Sequence, residues 1–221
     1  MNEPKWRGIK TTQIPKFEDD PKTIINRFGQ KSISLPRIDD KKRWAGFPGI
    51  TGISRKLARV IPKCRYYVEP FAGTAKVFQE LPKSKYAVAV LNDTSDFIFR
   101  WLSNEFLDEN VEIHKNDFTN CIAVHDAPNT VFVIDHPWNK SYFDQKFSCF
   151  DRESVKDYDK EILKLCEKLQ GKFIITTRKE NKRMLDSGFY NKLCKSEYVV
   201  SGKYPEVLLT SNFKIDGRKL R

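Results

Sequence analysis

Short apolar runs rich in β-branched and aromatic residues alternate along this chain with stretches whose apolar residues recur every three or four positions. That alternation restricts the fold more than any other feature, because strands separated by helices build a mostly parallel sheet covered by helices on its faces. The strand-like runs are Tyr66–Val68, Val88–Leu91, Val111–His114, Val131–Ile134, Phe173–Thr176, Tyr198–Val200 and Val207–Leu209. Between them, Ile53, Leu57, Val60 and Ile61 fall at helical spacing until Pro62 stops the helix. Ser95 is placed to cap a helix with Phe97, Ile98, Trp101, Leu102 and Leu107 on its apolar face. Val155, Tyr158, Ile162, Leu165 and Leu169 predict an amphipathic helix over 153–169, ended by Gly171. The expected architecture is α/β: a doubly wound, mostly parallel seven-stranded sheet. Its last two strands, joined through Gly202 and Pro205, would pair antiparallel at the edge.

In such a sheet, ligands bind where strands end at their carboxyl side, and three of these strand ends carry chemistry. The first runs through Glu69-Pro70-Phe71-Ala72-Gly73-Thr74-Ala75. A glycine in this tight turn lets a ligand approach the backbone, and the helix amides that follow would face it. No Gly-Lys-Ser/Thr follows, so it is not a phosphate loop, and it lacks the three-glycine dinucleotide fingerprint. The second is Asp93, about 20 residues past that turn, the spacing at which an acid accepts hydrogen bonds from ribose hydroxyls. Its plainer reading is a helix N-terminal acid. The third is Asp135-His136-Pro137-Trp138. An exocyclic aromatic amine must pyramidalise before it attacks an electrophilic methyl group. A carboxylate at Asp135 and the carbonyl of His136, set by Pro137, would accept its N–H groups and favour that shape. Trp138 offers a stacking face for a base swung out of a helix. The plainer reading is a strand-end turn with an aromatic lid.

Charge points to a polyanionic partner. Forty Lys and Arg against 29 Asp and Glu give a formal charge of +11, which favours nucleic acid, although solubility alone would also account for it. The excess gathers at 41–43, 55–65, 178–183 and 214–221. The five cysteines include no Cys-x-x-Cys pair, which argues for reduced thiols in a cytoplasmic protein rather than a disulfide framework or zinc knuckle. No apolar run approaches bilayer length, and 1–10 lacks a signal-peptide core. His114 and His125 lack metal-ligand spacing and read as surface or core residues. Ser141, near Asp144, has no base at a suggestive spacing, so no hydrolase triad is indicated.

The ordered motifs resemble the Dam-type adenine-N6 DNA methyltransferases, through most of 43–213. Arg43-Trp44-Ala45-Gly46 is similar to that family's opening segment, and Tyr67–Phe78 to its cofactor loop. Leu91-Asn92-Asp93 is similar to its ribose-binding acid, and Asp117-Phe118 stands at its acid–aromatic pair. Asp135-His136-Pro137-Trp138 stands at its Asp-Pro-Pro-Tyr motif, and Glu206–Phe213 resembles its closing strand. The resemblance implies a Rossmann-like fold and S-adenosylmethionine as cofactor. It implies cofactor contacts from Trp44, Gly46, Phe71, Ala72, Gly73, Thr74, Asp93, Asp117, Phe118 and Asp135. It also implies catalysis by Asp135, His136, Pro137 and Trp138 without a metal, on an adenine flipped from DNA. The domains expected are a basic, proline-containing arm at 1–42, a methyltransferase domain at 43–213 and a basic tail at 214–221.

Three departures qualify this. Phe47-Pro48-Gly49-Ile50 replaces the lysine that follows the opening glycines, and His136 replaces the first motif proline. The usual DNA-reading insertion between the ribose acid and the catalytic strand is missing. Contacts to nucleic acid then fall to the arm, to the loop bearing Arg178, Lys179, Lys182 and Arg183, and to the tail. RNA as substrate, or an impaired enzyme that only binds nucleic acid, remain open alternatives at this point.

Overall fold

The computed structural model describes residues 22–25, 29–34, 53–137, 157–196 and 206–221. Seven strands form the main sheet: β3 (Tyr66–Glu69), β4 (Val88–Asn92), β5 (Val111–His114), β6 (Thr130–Ile134), β7 (Lys172–Arg178), β8 (Tyr190–Lys195) and β9 (Glu206–Ser211). Their order is β5-β4-β3-β6-β7-β9-β8. The first five run parallel. Strand β9 enters antiparallel between β7 and β8, giving the antiparallel pairing expected at this edge. Leaving β3, the chain builds β4 and β5 on one flank and then returns to build β6 on the other. The loops after β3 and β6 therefore diverge, and a crevice opens at the carboxyl ends of these strands.

Alternation along the strands sends side chains into two separate cores. Tyr67, Ala89, Leu91, Val131, Val133, Ile174, Val207 and Leu209 face one layer, which contains α1 (Ser54–Val60), α2 (Lys76–Glu80) and α3 (Asp96–Glu105). Val68, Val90, Phe132, Ile134, Phe173, Ile175 and Leu208 face the other, with α4 (Phe118–His125), α5 (Tyr158–Cys166) and α6 (Lys182–Leu185). The sheet is thus doubly wound, as the alternation predicts.

Helix α3 shows local chemistry fixing an element. Ser95 Oγ accepts the Ile98 amide at 3.4 Å, and Ile98, Trp101 and Leu102 are wholly buried. Leu107 does not extend that apolar face: the helix ends at Glu105, and Leu107 is 82% exposed. Gly171 is likewise not a helix cap, since α5 closes at Cys166 with Glu167 as its cap. A Cβ at Gly171 would lie 3.0 Å from the Phe132 ring and 3.1 Å from the Thr130 carbonyl oxygen, so glycine is needed there for close packing. Strand β8 occupies 190–195, where no strand is legible in the sequence. The expected strand at 198–200 lies outside the described residues, as do 153–156 of the predicted helix, Ser141 and Asp144.

Parts of the N-terminal arm and the tail are built into the body. Strands β1 (Lys22–Ile25) and β2 (Lys31–Ser34) pair antiparallel. Trp101 Nε1 donates to Thr23 Oγ1 at 3.1 Å, and the Lys31 amide donates to Gln79 Oε1 at 2.8 Å. At the C-terminus, Ile215 and Leu220 are buried against the layer of α1–α3, and Arg59 donates to the Arg221 carbonyl at 3.3 Å. The tail contributes to a cleft of about 560 Å³ lined by Arg55, Arg59, Lys85, Arg218, Lys219 and Arg221, with Glu80 among them.

Candidate active site

The turn after β3 is built on two left-handed residues, Gly73 at φ +52° and Ala75 at φ +49°. No atom lies within 4 Å of where a Gly73 Cβ would sit, so the backbone there faces open space. Strand β4 delivers Asp93 beside it. The Gly73 amide donates to Asp93 Oδ2 at 3.1 Å and the Ser95 amide to Oδ1 at 3.0 Å. Burial raises the Asp93 pKa, while amides from Ser95, Gly73 and Thr94 oppose the rise. The carboxylate keeps acceptor capacity beyond these amides, which suits a ribose hydroxyl.

Asn92 holds these loops together, a role that sequence reading misses. Its side chain donates to the carbonyls of Pro70 at 3.0 Å and Asn116 at 2.9 Å, and accepts the Asn116 amide at 2.9 Å. Its own carbonyl accepts the Ala72 amide at 2.8 Å. The loops after β3, β4 and β5 therefore share one buried amide. Ala72 and Thr74 are themselves buried, so their side chains line the turn from within.

The helix that follows does not present all its amides to a ligand, as the turn alone suggests. Glu69 Oε1 accepts the Phe78 amide at 2.9 Å and the Tyr67 hydroxyl. Burial pushes this carboxyl up to about 8 against both hydrogen bonds, and the charge of Asp135 adds to the rise. Lys76, at the start of α2, is brought down to about 8 by burial, with Asp135 opposing the shift.

Asp135, at the end of β6, is exposed, and its Oδ1 accepts the hydroxyl of Thr176 from β7. Its charge acts on both Glu69 and Lys76, the residues on either side of the Gly73 turn. Its neighbour His136 points the other way, wholly buried. His136 Nε2 meets Asp159 Oδ1 at 2.7 Å, and Asn181 donates to Asp159 Oδ2 at 3.0 Å. Burial would raise the Asp159 pKa, but His136, Asn181 and Arg183 outweigh it and hold it low. His136 Nδ1 is buried without a hydrogen-bond partner.

Aromatic rings fill the space between the two halves. Phe71 stacks on Phe118 at 4.8 Å between centroids and meets Tyr158 edge-on at 5.8 Å; His136 lies 6.2 Å from Phe71. Asp117 caps α4 by accepting the Thr119 amide at 2.9 Å. The structure thus gathers Phe71, Gly73, Asp93, Asp117, Phe118, Asp135 and His136, with Pro137 half-buried. Trp44, Gly46 and Trp138 lie outside the described residues. Of the basic loop, Lys179 pairs with Glu206 at 3.1 Å and Arg183 with Asp157, which weakens both as free anion ligands. Lys182 is exposed and Arg178 half-buried.

No curated protein sequence matches the chain. Among solved structures it is similar to TYW2 of M. jannaschii in complex with AdoMet, at 14% identity and a TM-score of 0.52, with 90% of this chain and 89% of that one covered. It is also similar to spermidine synthase of Thermotoga maritima, at 12% identity and a TM-score of 0.51, with 92% and 73% covered. Identities this low speak for the fold alone. The family is decided by a sequence model, D12 class N6 adenine-specific DNA methyltransferase, which matches residues 51–197. That span holds both strand-end carboxylates and most of the sheet. The chain therefore belongs to the D12 class N6 adenine-specific DNA methyltransferase family, with S-adenosylmethionine as cofactor and methyl transfer as its chemistry.

Proposed function

We propose that this protein methylates the N6 amino group of adenine in DNA, acting on a base swung out of the duplex. The observation that carries the reading is the exposed Asp135 carboxylate, tethered by Thr176 at a strand end within the span matched by the adenine-methyltransferase family. When bound, S-adenosylmethionine supplies a methyl group already activated by its sulfonium, so the chain has to bind, orient and stabilise charge rather than generate a nucleophile. Asp93 would accept the ribose hydroxyls, and the stacked Phe71–Phe118 pair would lie beside the cofactor's adenine.

Thr176 occupies one oxygen of Asp135 and fixes the carboxylate plane. The carboxylate would accept an N–H of the target amine, and the His136 carbonyl a second. Both contacts localise the nitrogen lone pair toward the methyl group. As nitrogen gains the methyl it becomes cationic, and the adjacent carboxylate stabilises that charge and can take the proton the amine sheds. The His136–Asp159 contact would hold the chain direction after Asp135 in place of the stiffness of a second proline. Trp138 would stack on the flipped base.

A second reading is RNA methylation. Between β4 and β6 the chain forms only α3, β5, α4 and short connections, with no inserted reading domain. That economy suits recognition by shape or by an unpaired base. Tritiated-methyl transfer to duplex DNA and to RNA, followed by digestion, tests both. The proposal expects labelled N6-methyladenine from DNA, lost in Asp135→Ala. Label on RNA only would favour the second reading, and label on another base would defeat both.

A further inference from the structure

We propose that Glu112, His114 and His125 form a binding site for a divalent transition-metal ion, zinc above all, at the β5 edge of the sheet. The sequence hides this site, since eleven positions separate the two histidines and no local repeat joins them. The fold assembles it. Glu112 and His114 stand two apart on β5 and so share a face, opposite to Val111 and Ile113, which pack against the layer of α1–α3. Helix α4 lies on the first of those faces, and its last residue is His125.

One ligand atom from each of the three side chains lies within 4.8 Å of the others. His114 Nε2 and Glu112 Oε2 are 3.2 Å apart, and the two imidazole rings meet edge-on at 88° with centroids 5.5 Å apart. Ligands at about 2.0–2.1 Å from a tetrahedral zinc stand roughly 3.3 Å from each other. Closing His125 onto the pair therefore takes an approach of about 1.5 Å at most. Two imidazoles and one carboxylate are a nitrogen–oxygen set that zinc accepts, with the fourth position left to water. Glu112 offsets part of the dication's charge. Because β5 is an edge strand and Glu112 is exposed, an ion can enter from solvent. The Tyr66 ring lies 6.3 Å from that of His125. The site takes no part in methyl transfer. It would clamp the edge strand to α4, one hydrogen bond from the nucleoside crevice, since the His114 carbonyl accepts the Asp93 amide at 3.2 Å.

The test uses the full chain, stripped with a chelator and titrated with zinc by calorimetry and with cobalt by absorption. The expected result is one ion per chain with a micromolar dissociation constant, a rise in Tm with zinc, and cobalt d–d bands lacking the charge-transfer band of a thiolate ligand. His114→Ala and His125→Ala should each weaken binding at least tenfold, and Glu112→Gln several-fold. The metal-free Tm of these variants, together with the milder His125→Gln, checks that the fold is kept. Affinity unchanged by the histidine substitutions, a thiolate band, or no binding below millimolar zinc would overturn the proposal.

Discussion

The two halves of the candidate active site are built from different materials. On the β3–β4 side, Asp93 is held by main-chain amides of Gly73, Thr94 and Ser95, and the loops are joined through Asn92 to further main-chain groups. On the β6–β7 side, Asp135 and His136 are held by side chains: Thr176, Asp159 and, behind it, Asn181. A site held by backbone is insensitive to most neighbouring substitutions, because every residue supplies an amide. A site held by side chains depends on a few distant residues, each replaceable by one mutation. The first half suits a cofactor that stays the same. The second can drift.

The largest expected effect separates the halves directly. Asp135→Ala should lower kcat about 10²- to 10³-fold, the scale of losing a preorganised charge-stabilising group, while the cofactor dissociation constant moves less than about tenfold. Single-turnover label transfer and calorimetry would measure the two. Equal losses in both would break the division. Asp93→Ala should do the reverse, weakening cofactor binding roughly 10- to 100-fold, the worth of about 1.5–3 kcal/mol for hydrogen bonds to a charged group. The kcat at saturating cofactor should be nearly kept; a kcat collapse there would assign Asp93 to the chemistry instead.

Asp159→Ala comes next. It leaves the buried His136 ring without its partner, a cost of about 1–3 kcal/mol. A chain of this size would then melt roughly 2–12 °C lower. Asp159→Asn retains an acceptor and should fall less. If the side-chain-held half behaves as described, kcat drops in Asp159→Ala while cofactor affinity holds. Affinity falling in step with kcat would show the halves to be coupled.

A pH effect concerns Glu69, on the strand beside Asp135. Its folded pKa of about 8 lies above the ordinary value of 4.5, so the native state binds the extra proton across that window. Its contribution is fully present below the lower value and is lost as pH rises through the upper one. Tm should therefore decline between about pH 5 and pH 8 more steeply in the native chain than in Glu69→Gln, which keeps an acceptor for the Phe78 amide without an ionisable group. Parallel Tm profiles would refute this.

Much of the fold was legible because its signals are local. The Ser95 cap, the apolar steps through Ile98, Trp101 and Leu102, and the β-branched run before Asp135 each depend on neighbours within a few positions. Leu107 misleads for the same reason, being apolar and at helical spacing but beyond a helix that ends first. Strand β8 escaped because Tyr190 and Leu193 are exposed, and its pattern is that of an edge strand held by β9 rather than by burial.

The sequence by itself determined the alternation of strands and helices, the basic character of the chain, and the glycine turn and two acids at strand ends, since period, charge and spacing are properties of consecutive residues. Only the tertiary structure decided what those acids rest on. The hydroxyl that steadies Asp135 lies 41 positions away, the carboxylate that anchors His136 lies 23 away, and the imidazoles beside Glu112 meet across a strand and a helix. Such partners are chosen by the packing of whole layers, and no local pattern records which residues a folded sheet will bring within hydrogen-bonding distance.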